Sequence, residues 1–426
     1  MIPPVAHLEI GQCVFCALGR AAAILLSGVF LQPAATADEP RATENSAFTV
    51  RHRRLADLEG EHVAHAIFRQ TTSGGSIVSW GERVLEWPLE KPQVREVVPR
   101  LNDTEYSNGG CALDVDGDGV DEIIVARGRS RSVADPDLFW FAEPAPNRPW
   151  KEHWIGFLGK GNIAPHDLHP LSARRPDGTT VRGVVAVLDR RQLVWYEIPA
   201  DPTGPWPRRG IAELPVKGQS GIAVGDLAGN GRPDIACGMF WAECPADPTR
   251  EAWKVRRFGL WEDGGWGGMA KLELADMDGD GRPEIVATKA EIPEGRLGVF
   301  TRDPQRTDGP WKCREIEAGL YCPHSLVLAD FDGDRRVDII VGEMSAGGWS
   351  FPLNPRPRIT AYLNRGDRPF DREVLAQGLG VHEMGLLPAR RDGAWVLFAA
   401  DEIQPQKFPE MKTHLSSWTI VPRNSH

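Results

Sequence analysis

The sequence is short of positive charge and of the motifs that mark common enzyme classes. Its formal net charge is -10 at pH 7, which disfavours a nucleic-acid partner because phosphate backbones attract basic surfaces. It contains no nucleophile elbow, no HExxH motif and no phosphate-binding loop, so these three kinds of site have no support. Helical periodicity is also missing over long stretches, which favours a fold built from strands.

Cysteine is scarce and poorly placed for a metal ribbon. Two of the seven cysteines lie near the N-terminus, and the other five form no CxxC pair, which disfavours a zinc ribbon. An odd number cannot pair completely. Cys237 with Cys244, or Cys313 with Cys322, could form a disulfide bond, and isolated buried thiols are the alternative.

Apolar runs are too short to span a membrane comfortably. The run “AAAILLSGVFL” (21–31) is followed by Ala35 and Ala37, small residues that suit a cleavage site. This pattern predicts an export signal over 1–37 and a flexible tail over 38–46. We therefore expect an exported protein, periplasmic, cell-surface or extracellular, whose mature chain has no transmembrane segment.

Glycine and proline are abundant instead, with 45 and 35 residues, as is typical of short strands joined by turns. Four segments repeat an acidic loop between apolar runs: “LDVDGDGVDEIIVAR” (113–127), “VGDLAGNGRPDIACG” (224–238), “LADMDGDGRPEIVATKAE” (274–291) and “LADFDGDRRVDIIVG” (328–342). The last three are about fifty residues apart and the first gap is about twice as long, so a repeat without the loop is expected between them.

A second signature recurs in the same period. An apolar-aromatic strand is followed by a polar turn, usually with proline, and then by a closing aromatic residue: Trp150, Trp206, Trp253, Trp311 and Phe370. Each repeat thus predicts four strands, A to D, with the acidic loop between A and B. Repeats of this length predict an all-β, seven-bladed β-propeller over 47–426, with blades that begin near residues 61, 108, 164, 219, 269, 324 and 381.

The N-terminal strand is expected to close the ring. The last blade lacks its own strand D, because little sequence follows “SSWTIVPRN” (416–424). The segment “FTVRHRRL” (48–55) resembles the D strand “WKVRRFGL” (253–260), so we expect it to complete the last blade and remove the open sheet edge.

Alternating carboxylates in a tight loop are typical of a calcium site. In D-x-D-x-D-G, acids stand at positions 1, 3 and 5, and glycine permits a sharp bend. Hard oxygens at short range suit Ca²⁺ better than Mg²⁺ or Zn²⁺. An EF-hand would need flanking helices and glutamate at position 12, where Val125 and Ala287 stand instead. The expected ligands for two to three structural Ca²⁺ ions, including backbone carbonyls at position 7, are Asp114, Asp116, Asp118, Val120, Glu122, Asp276, Asp278, Asp280, Arg282, Glu284, Asp330, Asp332, Asp334, Arg336 and Asp338.

The four loops differ in how completely they match the D-x-D-x-D-G motif. Those that begin at Asp114 and Asp276 are complete, whereas the third has Arg335 where glycine is expected, which should strain the bend. The remaining loop has Ala228 and Asn230 at acidic positions, so we expect weak or no metal binding there.

These loops resemble the FG-GAP/VCBS repeats of integrin-α-type β-propellers. The motifs are “DVDGDGVDEIIV”, “DMDGDGRPEIV” and “DFDGDRRVDIIV”, and the resemblance covers most of the mature chain. It implies a seven-bladed propeller with structural Ca²⁺ on its blade hairpins. Together with strands such as “LVWYEIP” (193–199), the chain also resembles the propeller domain of fungal aldos-2-ulose dehydratases, which implies lyase chemistry on sugars.

Polar residues recur at the opposite strand ends, which should meet around the central channel. They include His65 and “PHDLH” (165–169). Such a set could bind a second divalent metal at the channel mouth or perform acid–base chemistry. The candidate catalytic residues are His166, His324, His382, Glu383, Lys289 and Glu343, and the candidate ligand-binding residues are Trp266, Arg127, Glu291 and Trp349. The alternative is that the histidines are structural and that the charged residues form rim salt bridges.

Two functions remain open on the sequence. One is a propeller that binds a carbohydrate or an extracellular protein at its channel face. The other is a carbon–oxygen lyase, a dehydratase acting on keto-sugars or uronate glycans, with a His/Glu/Lys site at the channel mouth. Convergence of His166, His324 and His382 in a pocket would favour the enzyme, and dispersal would favour the binding protein.

Overall fold

The computed structural model describes residues 46–58, 61–90, 93–129, 134–145, 148–159, 164–216, 218–259, 270–303, 311–345, 352–388, 393–401 and 413–423. The predicted signal (1–37), the predicted tail apart from its last residue, Trp266 and Trp349 lie outside these ranges. Within them the regular elements are 28 strands. No helix in the described part of the chain has the length and apolar character needed to cross a membrane.

The strands form seven four-stranded antiparallel sheets, and the predicted seven-bladed propeller is confirmed. A separate strand, β1, is Phe48–Leu58. Blade 1 contains Val63–Arg69 (β2), Ser76–Gly81 (β3), Val84–Pro88 (β4) and Arg95–Val98 (β5). Blade 2 contains Thr104–Leu113 (β6), Glu122–Arg129 (β7), Ala134–Ala142 (β8) and Lys151–Phe157 (β9). Blade 3 contains Leu168–Arg174 (β10), Thr180–Leu188 (β11), Gln192–Glu197 (β12) and Arg208–Glu213 (β13).

The other four blades repeat the pattern. Blade 4 contains Ile222–Gly225 (β14), Asp234–Cys237 (β15), Phe240–Glu243 (β16) and Lys254–Arg257 (β17). Blade 5 contains Ala270–Ala275 (β18), Glu284–Lys289 (β19), Gly295–Thr301 (β20) and Lys312–Leu320 (β21). Blade 6 contains Ser325–Ala329 (β22), Asp338–Gly342 (β23), Arg358–Leu363 (β24) and Asp371–Gln377 (β25). Blade 7 contains His382–Leu386 (β26), Trp395–Ala400 (β27) and Thr413–Pro422 (β28).

The first strand of each blade lies innermost, and these strands contact one another in sequence around the channel. The second strands are continuous apolar runs rich in β-branched residues, as in “EIIVAR” of β7 and “DIIVG” of β23. They are buried because each blade packs its two faces against its neighbours. The core therefore consists of apolar layers between successive blades.

Three of the closing aromatic residues join their blade to the previous one. The backbone N–H groups of Trp150, Trp206 and Trp311 donate hydrogen bonds to Val97, Ile155 and Phe258, at 2.9, 3.0 and 2.6 Å. Their indole rings are buried between the blades. The recurring aromatic position is thus an inter-blade anchor.

The N-terminal strand closes the ring, as predicted. β1 pairs antiparallel with β28, from Phe48 opposite Pro422 to Leu58 opposite Thr413. Blade 7 therefore has the order β1-β28-β27-β26, with its outermost strand supplied by the start of the described chain. Phe48 is fully buried at this seam, and β28 is paired on both sides, with β1 and with β27.

The cysteines form no disulfide bond within the described ranges. The thiols there are free, and all but that of Cys313 are buried. Neither Cys237 with Cys244 nor Cys313 with Cys322 is bridged, so the isolated-thiol alternative holds.

Candidate functional site

Residues at the starts of the innermost strands, together with Glu291 after β19, form a charged group at one end of the channel. They come from blades 3, 5, 6 and 7, which the ring brings face to face. We call this group the channel cluster; it consists of His166, Asp167, Lys271, Glu291, His324, His382 and Glu383.

Positive and negative groups alternate through the channel cluster. His166 places Nδ1 3.0 Å from Asp167 Oδ2, and Nε2 3.0 Å from Glu291 Oε1. His324 approaches the same Glu291 oxygen through Nε2, at 3.2 Å, and Glu383 Oε1 through Nδ1, also at 3.2 Å. Each imidazole thus lies between two carboxylates.

Lys271 completes a ring of six charges. Its Nζ lies 2.8 Å from Asp167 Oδ1 and also contacts Glu383. The three basic groups and three acids therefore alternate in a closed loop. Because these side chains are largely buried, this pairing is what allows them to stay ionised.

The pKa values reflect the same balance. Burial lowers the pKa of His166, but Asp167 and Glu291 outweigh it and raise the pKa to about 10. Burial also lowers the pKa of Lys271, but the carboxylates of Asp167 and Glu383 outweigh burial and raise this pKa above its usual value. Burial raises the pKa of Asp167 and Glu291, but their cationic neighbours hold both well below the usual range.

Three buried atoms of the channel cluster have charged neighbours but no well-directed hydrogen bond. They are His166 Nε2, His324 Nδ1 and Glu383 Oε1. The same three residues offer ligand atoms that all lie within 4.8 Å of one another. Two imidazoles and a carboxylate are a donor set typical of divalent transition metals, so these residues could hold such an ion.

A bulge in β26 lets two adjacent residues reach the channel cluster. The register of β26 against β27 shifts between His382 and Gly385, and Glu383 has a φ of 52°, which non-glycine residues rarely adopt. Neighbouring strand residues normally face opposite ways. Here the His382 ring stacks on that of His324, with centroids 4.5 Å apart, while Glu383 contacts Lys271. Strain of this kind concentrates at functional sites.

Gly221 fixes Asp167, another of the three acids of the cluster. Its N–H donates to Asp167 Oδ2 at 2.8 Å, and its φ is +77°. A Cβ at this position would lie 2.2 Å from the carbonyl oxygen of Ala270, so only glycine permits this approach of blades 4 and 5.

His65 faces the same channel with a neutral imidazole. Its Nδ1 lies 2.6 Å from the carbonyl oxygen of Asn108, which can only accept, so Nδ1 carries the proton. The basic lone pair is therefore on Nε2. Burial lowers the pKa of His65. The carboxylate of Glu383 raises this pKa and the ammonium of Lys271 lowers it, and the net result is a lowered pKa.

The channel continues from the cluster as a cavity of about 270 Å³. Asp167, Lys271 and Glu383 stand at the end toward the cluster, and much of the remaining wall is apolar. Its lining includes His65, Ile67, Phe68, Glu273, Leu326, Met384, Leu386 and Phe398.

The acidic loops lie at the other ends of the innermost strands. In three of them, the acids at positions 1, 3 and 9 offer oxygens within 4.8 Å of one another; these are Asp114, Asp116 and Glu122, then Asp276, Asp278 and Glu284, then Asp330, Asp332 and Asp338. The position 1 acid also accepts two backbone N–H groups of its loop, as from Gly117 and Gly119 to Asp114. Each loop could therefore hold a metal ion.

The position 5 acids are held by backbone hydrogen bonds of their loops, and a ligand role for them stays a prediction. Asp118 and Asp280 lie outside the three-acid groups and accept the N–H of Val120 and Arg282 at 2.8 Å, and Asp334 accepts that of Arg336 at 2.9 Å. A ligand role for the position 7 carbonyls stays a prediction.

The third loop already holds a cationic side chain. Arg365 Nη1 lies 2.6 Å from Asp332 Oδ2 and 3.1 Å from Asp334 Oδ2. This guanidinium neutralises carboxylates that a metal would otherwise use. In the loop that begins at Asp226, both oxygens of Asp234 accept backbone N–H groups.

Three predicted site residues are not brought to the channel cluster. Glu343 is buried against Arg358, with 2.7 Å between Oε1 and Nη2. Arg127 pairs with Glu152 and lies over the ring of Phe139. Lys289 is opposite Ala270 in the ladder, so it faces away from the side on which Lys271 lies. Blade packing and strand register therefore keep these three residues out of the channel cluster, and a catalytic or ligand-binding role for them stays a prediction. Trp266 and Trp349 lie outside the described residues.

The structure adds Lys271 and Glu273, which motif searching missed. Both lie on β18, an innermost strand, in the sequence “AKLELA”. Two charged residues at alternate positions of a strand that faces a channel were the available signal.

Comparison with known proteins shows the fold alone. No protein-family model and no curated protein matches this chain, so the resemblance to FG-GAP/VCBS repeats stays a prediction. Among solved structures, an ancestral GH74 enzyme is similar with a TM-score of 0.57 and 9% identity, over 86% of this chain and 49% of that chain. A lectin from Agrocybe aegerita, titled for recognition of non-reducing terminal N-acetylglucosamine, gives a TM-score of 0.45 and 15% identity, over 77% of this chain and 81% of that chain.

Proposed function

We propose that this protein is a carbohydrate-active carbon–oxygen lyase, a dehydratase acting on keto-sugars or uronate glycans at the channel cluster. The observation that carries the proposal is the convergence of His166, His324 and Glu383 beside the Lys271 ammonium, at the end of a cavity that His65 also lines. Together these groups supply the base and the electrostatic stabilisation that β-elimination requires.

The three donor atoms that lack a well-directed hydrogen bond suit a divalent transition metal such as Zn²⁺. His166, His324 and Glu383 would hold it. When bound, such an ion would polarise a substrate carbonyl or hydroxyl oxygen. Asp167 and Glu291 would orient the two imidazoles from behind.

The protein's own side chains provide the proton chemistry. His65 Nε2 takes the proton from the carbon next to the substrate carbonyl, and Lys271 stabilises the negative charge that develops on the carbonyl oxygen. The β-hydroxyl then leaves with the proton that His65 carries. One C–H bond and one C–O bond break, one C=C bond forms, and water is released.

We also propose that the acidic loops bind Ca²⁺ and that the protein is exported. Hard carboxylate oxygens at positions 1, 3 and 9 of three loops support the first proposal. The apolar segment 21–31 and the small residues after it support the second. The calcium ions would be structural, since the loops stand at the opposite strand ends from the channel cluster.

The test is metal analysis combined with turnover. Protein stripped with a chelator and reloaded with Zn²⁺ or Mn²⁺ is incubated with keto-sugars and uronate oligosaccharides, and unsaturated products are followed by ultraviolet absorbance. His65→Gln should lower kcat by about 10²-fold or more. His153→Gln, on outer strand β9, is the matched control and should leave kcat unchanged.

A non-catalytic binding protein is the second candidate. It is favoured by the charge balance of the channel cluster, in which every ionised side chain is already paired. Calcium as the only bound metal, with no turnover of any probe, would contradict the lyase proposal and leave this one.

A further inference from the structure

The channel cavity contains one acid that the proposed elimination does not use. Glu273 lies two residues after Lys271 on β18, and both line the cavity. Its side chain is exposed there. Among the described residues, none forms a hydrogen bond or an ion pair with its carboxylate. The charges of Lys271 and Glu383 act on it only through longer-range electrostatic interactions.

The cations around this cavity are already engaged. Lys271 stands between Asp167 and Glu383, and His65 is neutral. A carboxylate on a ligand would therefore meet the negative charge of Glu273, and none of the described lining residues offers an unpaired cation.

A neutral sugar ring has the complementary chemistry. Its C–H face would pack against the apolar wall, which includes Ile67, Phe68 and Met384. Neighbouring hydroxyl groups would donate to the two oxygens of Glu273. The volume of about 270 Å³ lies just below the ~300 Å³ at which pockets for drug-sized ligands begin, so a single sugar unit suits it better than a polymer segment.

We propose that Glu273 is a specificity-determining residue that makes the channel selective for a neutral keto-sugar over a uronate. The inference rests on the proposed function and decides between the two substrate classes left open there. Selectivity of this kind comes from repulsion of the wrong ligand as much as from attraction of the right one.

Binding of a matched pair of sugars tests the assignment. D-fructose and D-fructuronate are titrated calorimetrically into the full protein at about pH 8. The surrounding channel walls desolvate Glu273 and raise its pKa to about 7, so it is mostly ionised at this pH. Wild-type protein should bind fructose at least about tenfold more tightly, and Glu273→Gln should reduce this ratio to about threefold or less. Glu251→Gln, an exposed loop residue, is the matched control and should leave the ratio unchanged.

The outcomes separate this inference from the lyase proposal. Equal or tighter uronate binding by wild-type protein, an unchanged ratio in Glu273→Gln, or failure of both sugars to bind would each overturn it. The expected ratios without any turnover would support the role of Glu273 and contradict only the proposed elimination.

Discussion

Arg335 holds a backbone conformation that suits glycine. Its φ is +70°, and the equivalent positions of the two complete loops are Gly119 and Gly281, with φ of +85° and +83°. The third loop therefore keeps the same path as the others in spite of a side chain that disfavours it. The strain expected from the sequence is visible at this residue.

Replacement of this arginine should stabilise the protein. Arg335→Gly relieves a left-handed non-glycine conformation, and we expect the free energy of unfolding to rise by about 1 kcal/mol in urea denaturation. Arg335→Ala is the control, because it removes the charge and keeps the Cβ. Equal stabilisation by alanine would show that the charge, not the backbone, is responsible.

At the scale of elements, the seam between β1 and β28 contains a serine that joins a buried histidine, His414, to an exposed one, His52. His52 Nε2 and His414 Nδ1 each lie 3.0 Å from the hydroxyl oxygen of Ser416. Burial, together with the nearby Arg54 and His52, lowers the pKa of His414 to about 4. His414 is therefore neutral in the folded protein at physiological pH.

This seam should weaken in mild acid. A histidine with a folded pKa of about 4 and an unfolded pKa near 6.5 contributes stability above about pH 6.5 that is lost as the pH falls toward 4. Between about pH 7.5 and pH 5 we expect His414 to account for a loss of about 2 kcal/mol in unfolding free energy, which His414→Gln should abolish. Ser416→Ala keeps the titrating group, so its pH dependence should match that of wild-type protein. Parallel curves for wild type and His414→Gln would contradict the assignment.

At the scale of the whole molecule, the acidic loops tie the blade hairpins together. The N–H of Asp121, within the first loop, donates to the carbonyl oxygen of Gln70 of blade 1, and the N–H of Gln70 donates to Asp121 Oδ2, both at 3.0 Å. The first loop therefore fixes the join between two blades as well as its own hairpin.

Removal of calcium should therefore lower the melting temperature. Each site stabilises by about 2.7 kcal/mol when free Ca²⁺ is 100 times its dissociation constant. We expect chelation to lower Tm, readdition of Ca²⁺ to restore it, and Asp276→Asn to remove part of the effect. Asp226→Asn is the matched control, because Asp226 accepts similar backbone hydrogen bonds in a loop outside the three-acid groups. A Tm insensitive to chelation would contradict the calcium proposal.

The ring, its blade count and its closure could be predicted because they repeat. Loops, aromatic anchors and turns recur at one period, so each copy supports the others. The channel cluster could be predicted in part, since His166, His324 and Glu383 stand at equivalent strand starts. Lys271 could not, because its importance depends on partners from blades 3 and 7 that only the closed ring brings near. The prediction placed Lys289 beside the channel histidines, whereas its side chain lies on the opposite face of the sheet from Lys271. A difference of one residue along a strand is enough to move a side chain to the other face.

The pairing of β1 with β28 also sets the order of events during synthesis. Phe48 and Pro422 are partners, although nearly the whole described chain separates them. Contacts so distant in sequence form slowly, because the entropy of closing the chain is lost before the contact forms. Blade 7 cannot be completed until the C-terminal strand has left the ribosome. Until then, the chain has an open sheet edge that could pair with the edge of another nascent chain. Folding of this protein therefore requires that such pairing be prevented during synthesis.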